Sequence, residues 1–232
     1  MRYLISEFTG IGDMIQKTPM IRTIKENDRD SEVFMVGDNR WGAMNLLQGA
    51  EYIDGKFNVA EHCGLDIENK GSNAEIDELY RSHRRYVYKT ISPWLEEQHF
   101  DVFFWSFVSD VPESVSSAIT ESNCKEICRH VDVGEMIGEN VVQFFRRKFS
   151  GSRDLYVPVL NGRHDIDTNF DLLERYENRS INRNYSTWIS NDLQGADIKS
   201  FGLRPNGYIC IQPGAANGQD TPKTWDPENF VQ

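Results

Sequence analysis

The opening stretch of the chain, residues 1–36, combines a strand, a glycine turn, a helix and a second strand. A mostly apolar run at residues 2–6 leads into the turn Thr9-Gly10-Ile11-Gly12-Asp13, a helical pattern follows, and a second apolar run occupies residues 32–36. Two strands joined through a helix lie parallel in one sheet, because the helix returns the chain to the edge where the first strand began. The sequence therefore predicts an α/β fold with a parallel sheet.

The alternation of strands and helices continues along the chain. Apolar runs predict further strands at 56–59, 101–107, 125–129 and 207–212. Helical patterns cover 41–47, 75–98 with a break expected before Pro93, the segment that Pro112 opens, and 164–176. Residues 60–74 are polar and predict a loop.

The first helix has two features that bear on its packing. Its apolar residues recur at helical spacing, and this pattern places Lys17 on another face. Pro19 leaves two interpretations open: it kinks a helix that begins near Asp13, or it occupies the first turn of a helix capped by Thr18.

A change of composition predicts the domain organisation. Residues 178–206 are rich in Asn, Arg, Ser, Asp and Gly, which is typical of a linker or crossover between domains. The first domain is then 1–177, and 207–232 holds only a strand, a turn and the start of a helix. Such a segment is too short to form a domain, so either the second domain is truncated in this chain or the strand 207–212 joins the first sheet; we expect truncation.

Charge and composition exclude several classes of protein. The formal net charge of −11 argues against a nucleic-acid partner, since binding to the phosphate backbone depends on Lys and Arg. The longest strongly apolar stretch, 102–105, is far too short to span a membrane, and the N-terminus lacks the pattern of a signal peptide. The four cysteines show no zinc-site spacing, so we expect a cytoplasmic protein with free thiols and no metal.

The turn at residues 9–13 is the first candidate site; it is called the acceptor-side turn below, after the role that the family resemblance described at the end of this subsection implies. Gly10 and Gly12 would let another molecule approach the backbone, and the helix N-terminus that follows attracts negative charge. The spacing lacks the third glycine of a dinucleotide fingerprint, because Ile15 stands in its place. Asp13 has two interpretations: a helix cap, or a general base that accepts a proton from an attacking hydroxyl.

A second glycine turn, near the end of the chain, is the other candidate site. It contains Gly214, and Thr221 and Lys223 follow it just before a predicted helix start. Backbone N–H groups, a hydroxyl and an ammonium can together hold a diphosphate, although this is not a Walker A sequence. An ordinary surface loop with a solvated lysine is the alternative.

Basic residues cluster in the middle of this acidic chain. Arg81, Arg84 and Arg85 lie close together in the predicted helix 75–98. They could contact an anionic ligand or membrane surface, or they could form a solvated helix face.

Three segments resemble glycosyltransferase family 9, which includes the lipopolysaccharide heptosyltransferases. The first is Gly12-Asp13-Met14-Ile15-Gln16-Lys17-Thr18-Pro19-Met20-Ile21, and the second comprises His164, Asn169 and Leu172-Leu173. The third is Ile211-Gln212-Pro213-Gly214-Ala215-Ala216 followed by Lys223-Thr224-Trp225. They occur in the family's order and lie at both ends of the chain.

The resemblance implies a GT-B architecture, in which two Rossmann-like domains face each other and bind the acceptor and the donor respectively. It implies an inverting transfer from a nucleotide-activated sugar, ADP-heptose in the best-known members, to a glycan or glycolipid such as a lipopolysaccharide core. Asp13 would then be the base, and Thr221 and Lys223 would contact the donor phosphates beside Gly214. No metal or other cofactor is implied.

The resemblance also implies peripheral contact with the inner face of the cytoplasmic membrane, where Arg81, Arg84 and Arg85 would meet acceptor phosphates. Two departures bear on activity. One residue, Asp226, is inserted between Trp225 and Pro227, and the later donor-domain motifs are missing, so we expect this chain alone to be inactive. A non-catalytic Rossmann-like module that binds a glycan or a protein is the alternative function.

Overall fold

The structure, a computed structural model, describes residues 1–47, 49–70, 72–106, 111–132, 154–159 and 163–188. The predicted strand 207–212, together with Gly214, Thr221 and Lys223, lies outside the described residues, and so does most of the predicted linker. The described residues all belong to one compact unit.

A six-stranded parallel sheet forms the centre of this unit. The strands are β1 (Arg2–Glu7), β2 (Glu32–Gly37), β3 (Gly55–Asn58), β4 (Val102–Trp105), β5 (Glu126–Asp132) and β6 (Asp154–Val159). They lie in the order β3-β2-β1-β4-β5-β6, which is the strand order of the Rossmann fold. The predicted α/β fold with a parallel sheet is confirmed.

Helices cover both faces of the sheet. They are α1 (Ile11–Asn27), α2 (Val59–His62), α3 (Asn73–Ser82), α4 (Arg84–Gln98), α5 (Glu113–Glu121) and α6 (Asp165–Glu177), with a 3₁₀ segment at Arg40–Leu47. Apolar side chains of α1, the 3₁₀ segment and α6 form one core, and those of α2 to α5 form the other. The apolar side chains of the sheet that point to each face pack into the core on that face.

Proline and glycine positions explain how α1 and β2 form. Helix α1 runs through Pro19, and Thr18 Oγ1 donates to the Ile15 carbonyl oxygen at 2.7 Å. That carbonyl is the one that proline, which has no N–H, leaves without its usual partner.

In β2, Gly37 pairs with Glu7 of β1, and a Cβ at Gly37 would lie 2.0 Å from the Glu7 carbonyl oxygen. Only glycine allows this close approach.

Three local predictions were wrong. The segment 75–98 breaks at His83 into α3 and α4, while Pro93 lies inside α4. The predicted loop 60–74 overlaps the short helix α2, whose first turn is capped by the side chain of Asn58. Lys17, expected on a polar face of α1, is fully buried, for a reason given with the site below.

The described start of the predicted linker packs against the first domain. Arg183 makes ion pairs with Asp167, Asp171 and Glu174 of α6, each at 2.8 Å. Trp188 is buried, and its Nε1 donates to the Thr18 carbonyl oxygen at 2.7 Å. Residues 178–188 therefore extend the α1–α6 layer.

The strand order places a switch point between β1 and β4. From β1 the chain goes to β2 and β3 on one side, and it returns to β4 on the other side of β1. Helix α1 follows β1 on one face of the sheet, and α5 follows β4 on the opposite face. In open α/β sheets, ligands bind in the crevice that such opposed connections leave at the carboxyl ends of the strands.

Candidate active site

A buried ion pair organises the acceptor-side turn. Glu7, the last residue of β1, accepts hydrogen bonds at Oε1 from the Thr9 backbone N–H at 2.9 Å and from Thr9 Oγ1 at 2.7 Å. Its other oxygen, Oε2, lies 2.6 Å from Lys17 Nζ, and both side chains are buried. One carboxylate thus fixes the path of the chain between β1 and α1.

Lys17 joins the first helix to the end of the first strand. Its ammonium also donates to the Ser6 carbonyl oxygen at 2.9 Å. Burying two charges is unfavourable unless hydrogen bonds replace the lost water, and these contacts supply them. Sequence reasoning missed this pair, because hydrophobic periodicity assigns a lysine to the solvent face. The one available signal was an acidic residue directly after a buried strand.

Asp13 is half-buried in the first turn of α1. Its Oδ2 accepts a hydrogen bond of 3.4 Å from the Gly10 backbone N–H, so the interaction with the helix start is long. Among the described residues, its Oδ1 has no hydrogen-bond partner. One oxygen therefore has the capping role expected of an aspartate at this position, and the other makes no hydrogen bond with the described residues; the role of Asp13 as a general base remains a prediction.

Neither glycine of the acceptor-side turn is required by local packing. Gly10 is in an extended conformation (φ −108°, ψ 178°), and a Cβ there would contact Trp41 Cδ1 at an ordinary 3.8 Å. A Cβ at Gly12 would meet nothing within 4 Å. The backbone is thus open at this edge, and the prediction that a ligand approaches it remains a prediction.

The three arginines border a groove between α4 and the first turn of α5, called the basic groove below. It comprises two adjoining cavities of about 360 and 580 Å³. Arg81 lines the first, Arg85 lines the second, and Arg84 lines both, together with Ser114 of α5. The structure therefore brings the predicted basic cluster to the start of a helix, where backbone N–H groups also favour anions.

The charges of the basic groove are only partly compensated. Arg81 pairs with Glu78 on the surface of α3. Within the described part of the chain, Arg84 and Arg85 make no ion pair or hydrogen bond. The carboxylates of Asp77 and Glu113 line the groove as well, so its surplus of positive charge is moderate.

The acceptor-side turn and the basic groove both lie at the carboxyl edge of the sheet. Asp13 stands on the α1 face of the switch point, and Ser114 stands on the α5 face. The rings of Phe8, just after β1, and Tyr80 of α3 contact edge to face with centroids 6.3 Å apart. This contact links the acceptor-side turn to the helix that carries Arg81.

Hydrogen bonds made by Asn169 of α6 connect the end of β4 with helix α1. Ser106, which follows β4, donates to Asn169 Oδ1 of α6 at 2.9 Å. Asn169 Nδ2 donates in turn to the Gln16 carbonyl oxygen of α1 at 3.3 Å. His164 caps α6, because its Nδ1 accepts from the Ile166 N–H at 3.2 Å. The residues of the second resembling segment thus hold α6 against α1 and β4.

Across the ranges that the structure describes, no three or more His, Cys, Asp or Glu side chains are grouped so that they could hold a metal ion. None of the helices in those ranges combines the length and apolar character needed to cross a membrane.

Among solved structures, the chain is similar to a glycosyl transferase of family 9 from Veillonella parvula DSM 2008, with a TM-score of 0.57 and 16% sequence identity. The match covers 99% of this chain and 57% of that one. E. coli heptosyltransferase WaaC with ADP matches at a TM-score of 0.47 and 12% identity, over 80% of this chain and 51% of that one. E. coli ADP-heptose lps heptosyltransferase II matches at a TM-score of 0.49 and 14% identity, over 88% of this chain and 51% of that one.

At 16% identity and a TM-score of 0.57, the likeness to the first of these structures is one of fold. The chain has the fold of part of a family 9 glycosyl transferase, which agrees with the resemblance seen in the sequence. It spans about 57% of the length of that structure. No family model matches the sequence, and no curated protein matches it.

Proposed function

We propose that this chain contributes the acceptor-binding side of a glycosyltransferase. The enzyme would move a sugar from a nucleoside-diphosphate donor to a glycan or glycolipid acceptor. The observation that carries the proposal is Asp13, whose Oδ1 has no hydrogen-bond partner in the described part of the chain and lies at the carboxyl edge of a sheet with the family 9 fold. Asp13 is only half-buried, which supports the proposal that an acceptor hydroxyl approaches this oxygen.

The proposed step is a single inverting displacement. Asp13 accepts the proton of the acceptor hydroxyl while that oxygen bonds to the anomeric carbon of the donor sugar. The bond between the anomeric carbon and the diphosphate oxygen breaks on the opposite face, and the nucleoside diphosphate leaves with the electron pair. The Glu7–Lys17 pair serves as positioning machinery, because it fixes the turn that carries Asp13.

The donor side of the proposal rests on the sequence alone. Lys223 and Thr221 contact the diphosphate, and the turn at Gly214 brings backbone N–H groups to it. These charges and dipoles stabilise the departing diphosphate, which is the main electrostatic task of such a reaction. The donor is proposed to be ADP-heptose, by resemblance to the heptosyltransferases.

The acceptor is proposed to carry phosphate, as a lipopolysaccharide core does. Arg84 and Arg85 border the basic groove without a partner among the described residues, and Arg81 adds a third guanidinium. Guanidinium groups bind phosphate through paired N–H donors. The enzyme would work in the cytoplasm, in peripheral contact with the inner face of the membrane.

The test compares wild-type protein with Asp13→Ala, in a protein that has a complete donor domain. With ADP-heptose and a lipopolysaccharide-core acceptor, we expect Asp13→Ala to lower the rate of sugar transfer by at least about a hundredfold. Binding of ADP-heptose, measured by calorimetry, should change less than about twofold, because Asp13 faces the acceptor.

Retained transfer in Asp13→Ala would refute the role of the base. If wild-type protein binds the glycan but turns over no nucleotide sugar in a donor panel, the non-catalytic binding module is the better description.

A further inference from the structure

An exposed tryptophan lies beside the acceptor-side turn. Trp41 is 40% exposed, although the rest of the 3₁₀ segment contributes buried Ala43, Met44 and Leu47 to the core beneath α1. Large aromatic side chains normally bury most of their surface. Trp41 does so as well, and the part of its indole that stays in solvent lies at the carboxyl edge of the sheet, where a ligand can reach it.

The backbone at Trp41 is held in an unfavourable conformation. Its φ of 56° and ψ of 17° lie in the left-handed region, which a bulky residue rarely adopts. The preceding residue fixes this turn: Arg40 is buried and pairs with buried Asp38 through Nη2 at 2.7 Å and Nε at 3.1 Å. Arg40 Nη1 also reaches Asn73 Oδ1 at 3.3 Å. Strain that a buried network enforces in this way concentrates at functional sites.

Trp41 and Asp13 flank the same residue. A Cβ at Gly10 would lie 3.8 Å from Trp41 Cδ1, so the indole edge stands directly against this glycine. The Gly10 N–H in turn donates to Asp13 Oδ2. An aromatic surface and a carboxylate are therefore neighbours on one edge, with exposed Ile11 next to them, and one oxygen of that carboxylate has no partner among the described residues.

We propose that Trp41 is a stacking platform for the acceptor sugar. A pyranose ring has an apolar face of C–H groups and a rim of hydroxyls. The C–H face would lie on the indole, and a rim hydroxyl would then point to Asp13 Oδ1. The proposal rests on the proposed function in one respect, that the sugar stacked on Trp41 is the acceptor; the stacking itself requires no transfer.

Two variants of Trp41 distinguish loss of the indole ring from loss of the folded structure. Trp41→Gly removes the aromatic ring, and glycine adopts a φ of 56° without strain, so the variant should fold. Trp41→Phe keeps an aromatic face. Tyr185→Ala is the matched control, because Tyr185 is 52% exposed and lies in the segment that packs on α6.

The first measurement needs no donor. Saturation-transfer NMR with methyl β-D-glucopyranoside as the probe should show saturation of the ring C–H protons by wild type, by Trp41→Phe and by Tyr185→Ala. Trp41→Gly should lose most of that signal. Absence of saturation in wild type, or full saturation in Trp41→Gly, would overturn the proposal.

The second measurement is made during turnover. Trp41→Gly should raise the acceptor KM about tenfold and leave the donor KM unchanged, as expected when one aromatic contact is removed. A normal acceptor KM in this variant would refute the stacking role of Trp41 without contradicting the proposed transferase. Sugar binding that depends on Trp41, in a protein that shows no turnover, would support the stacking role and contradict the proposed transferase.

Discussion

At the scale of single residues, buried and partly exposed side chains of the acceptor-side turn differ in what they contact. Glu7 and Lys17 are fully buried and hold the backbone, whereas one oxygen of Asp13 makes no hydrogen bond with any residue that the structure describes. The role of base that we propose for Asp13 requires an oxygen that makes no contact within the fold. The structural contacts of this turn are made by a different carboxylate, that of Glu7.

Removing the buried ammonium should destabilise the protein strongly. Lys17→Met leaves the Glu7 carboxylate buried without its cation, which typically costs about 3–5 kcal/mol. Urea unfolding followed by circular dichroism measures the loss. Arg179→Met is the control, because its pair with Glu177 lies at the surface and should contribute less than about 1 kcal/mol. Equal effects of the two substitutions would contradict the structural role of Lys17.

His130 should make stability depend on pH. Burial lowers the pKa of His130 to about 4 from 6.5, although its Nε2–H donates to the Thr168 carbonyl oxygen at 2.8 Å. Below pH 6.5 the unfolded chain binds a proton that the folded protein does not, so stability falls as the pH drops towards 4. The loss is on the order of 3 kcal/mol at pH 4, and it is absent above pH 6.5.

The measurement is the free energy of unfolding of wild type and His130→Gln between pH 7 and pH 4. Other groups titrate in this range, but the difference between the two proteins isolates the histidine. Parallel pH profiles for the two proteins would show that His130 is not held neutral.

At the scale of elements, the close pairing of β1 and β2 shapes the site. Gly37 and Glu7 end their strands as register partners, so the turn after β1 and the segment that carries Trp41 start side by side. Trp41 reaches Gly10 because these two strand ends approach each other. The packing of two backbones thus sets the distance between two candidate ligand contacts.

Alanine substitutions of two glycines should differ in their effect on the free energy of unfolding. Gly37→Ala would place a Cβ 2.0 Å from the Glu7 carbonyl oxygen, and the resulting shift should cost about 1–3 kcal/mol. Gly12→Ala meets no atom within 4 Å in a helical turn, so it should be neutral or stabilise by up to about 1 kcal/mol. Thermal unfolding measures both; a Gly12→Ala variant that is stable but inactive would indicate ligand approach at that residue.

The sequence predicts most elements because periodicity reports burial. It predicted β1, α1 and β2. It did not predict β6, because Pro158 interrupts the strand pattern; β6 is an edge strand, and an edge strand tolerates proline. Asp13, Gly10 and Gly12 are candidate site residues because a glycine turn joins a strand to a helix there, and their role stays a prediction. The Glu7–Lys17 pair and the position of Trp41 depend on contacts between separate elements, which no local pattern encodes.

At the scale of the whole molecule, the strand order gathers the candidate residues at one edge. Asp13 and Trp41 lie on the α1 face of the switch point, and Arg84 and Ser114 lie on the α5 face. An acidic chain with a net charge of −11 repels anions in general, so an anionic acceptor would need this local surplus of arginine. We therefore expect one acceptor to span both faces.

The most direct test of this account is to map a phosphorylated sugar onto the backbone amides by NMR, with glucose 6-phosphate as the probe. The account predicts shift changes at Gly10, Gly12 and Ser114, and their loss at Ser114 in Arg84→Gln. The opposite edge of the sheet, reported by Ser31 before β2 and Lys125 before β5, should stay unchanged. Changes confined to that opposite edge, or none at either edge, would contradict a ligand site at the carboxyl ends of β1 and β4.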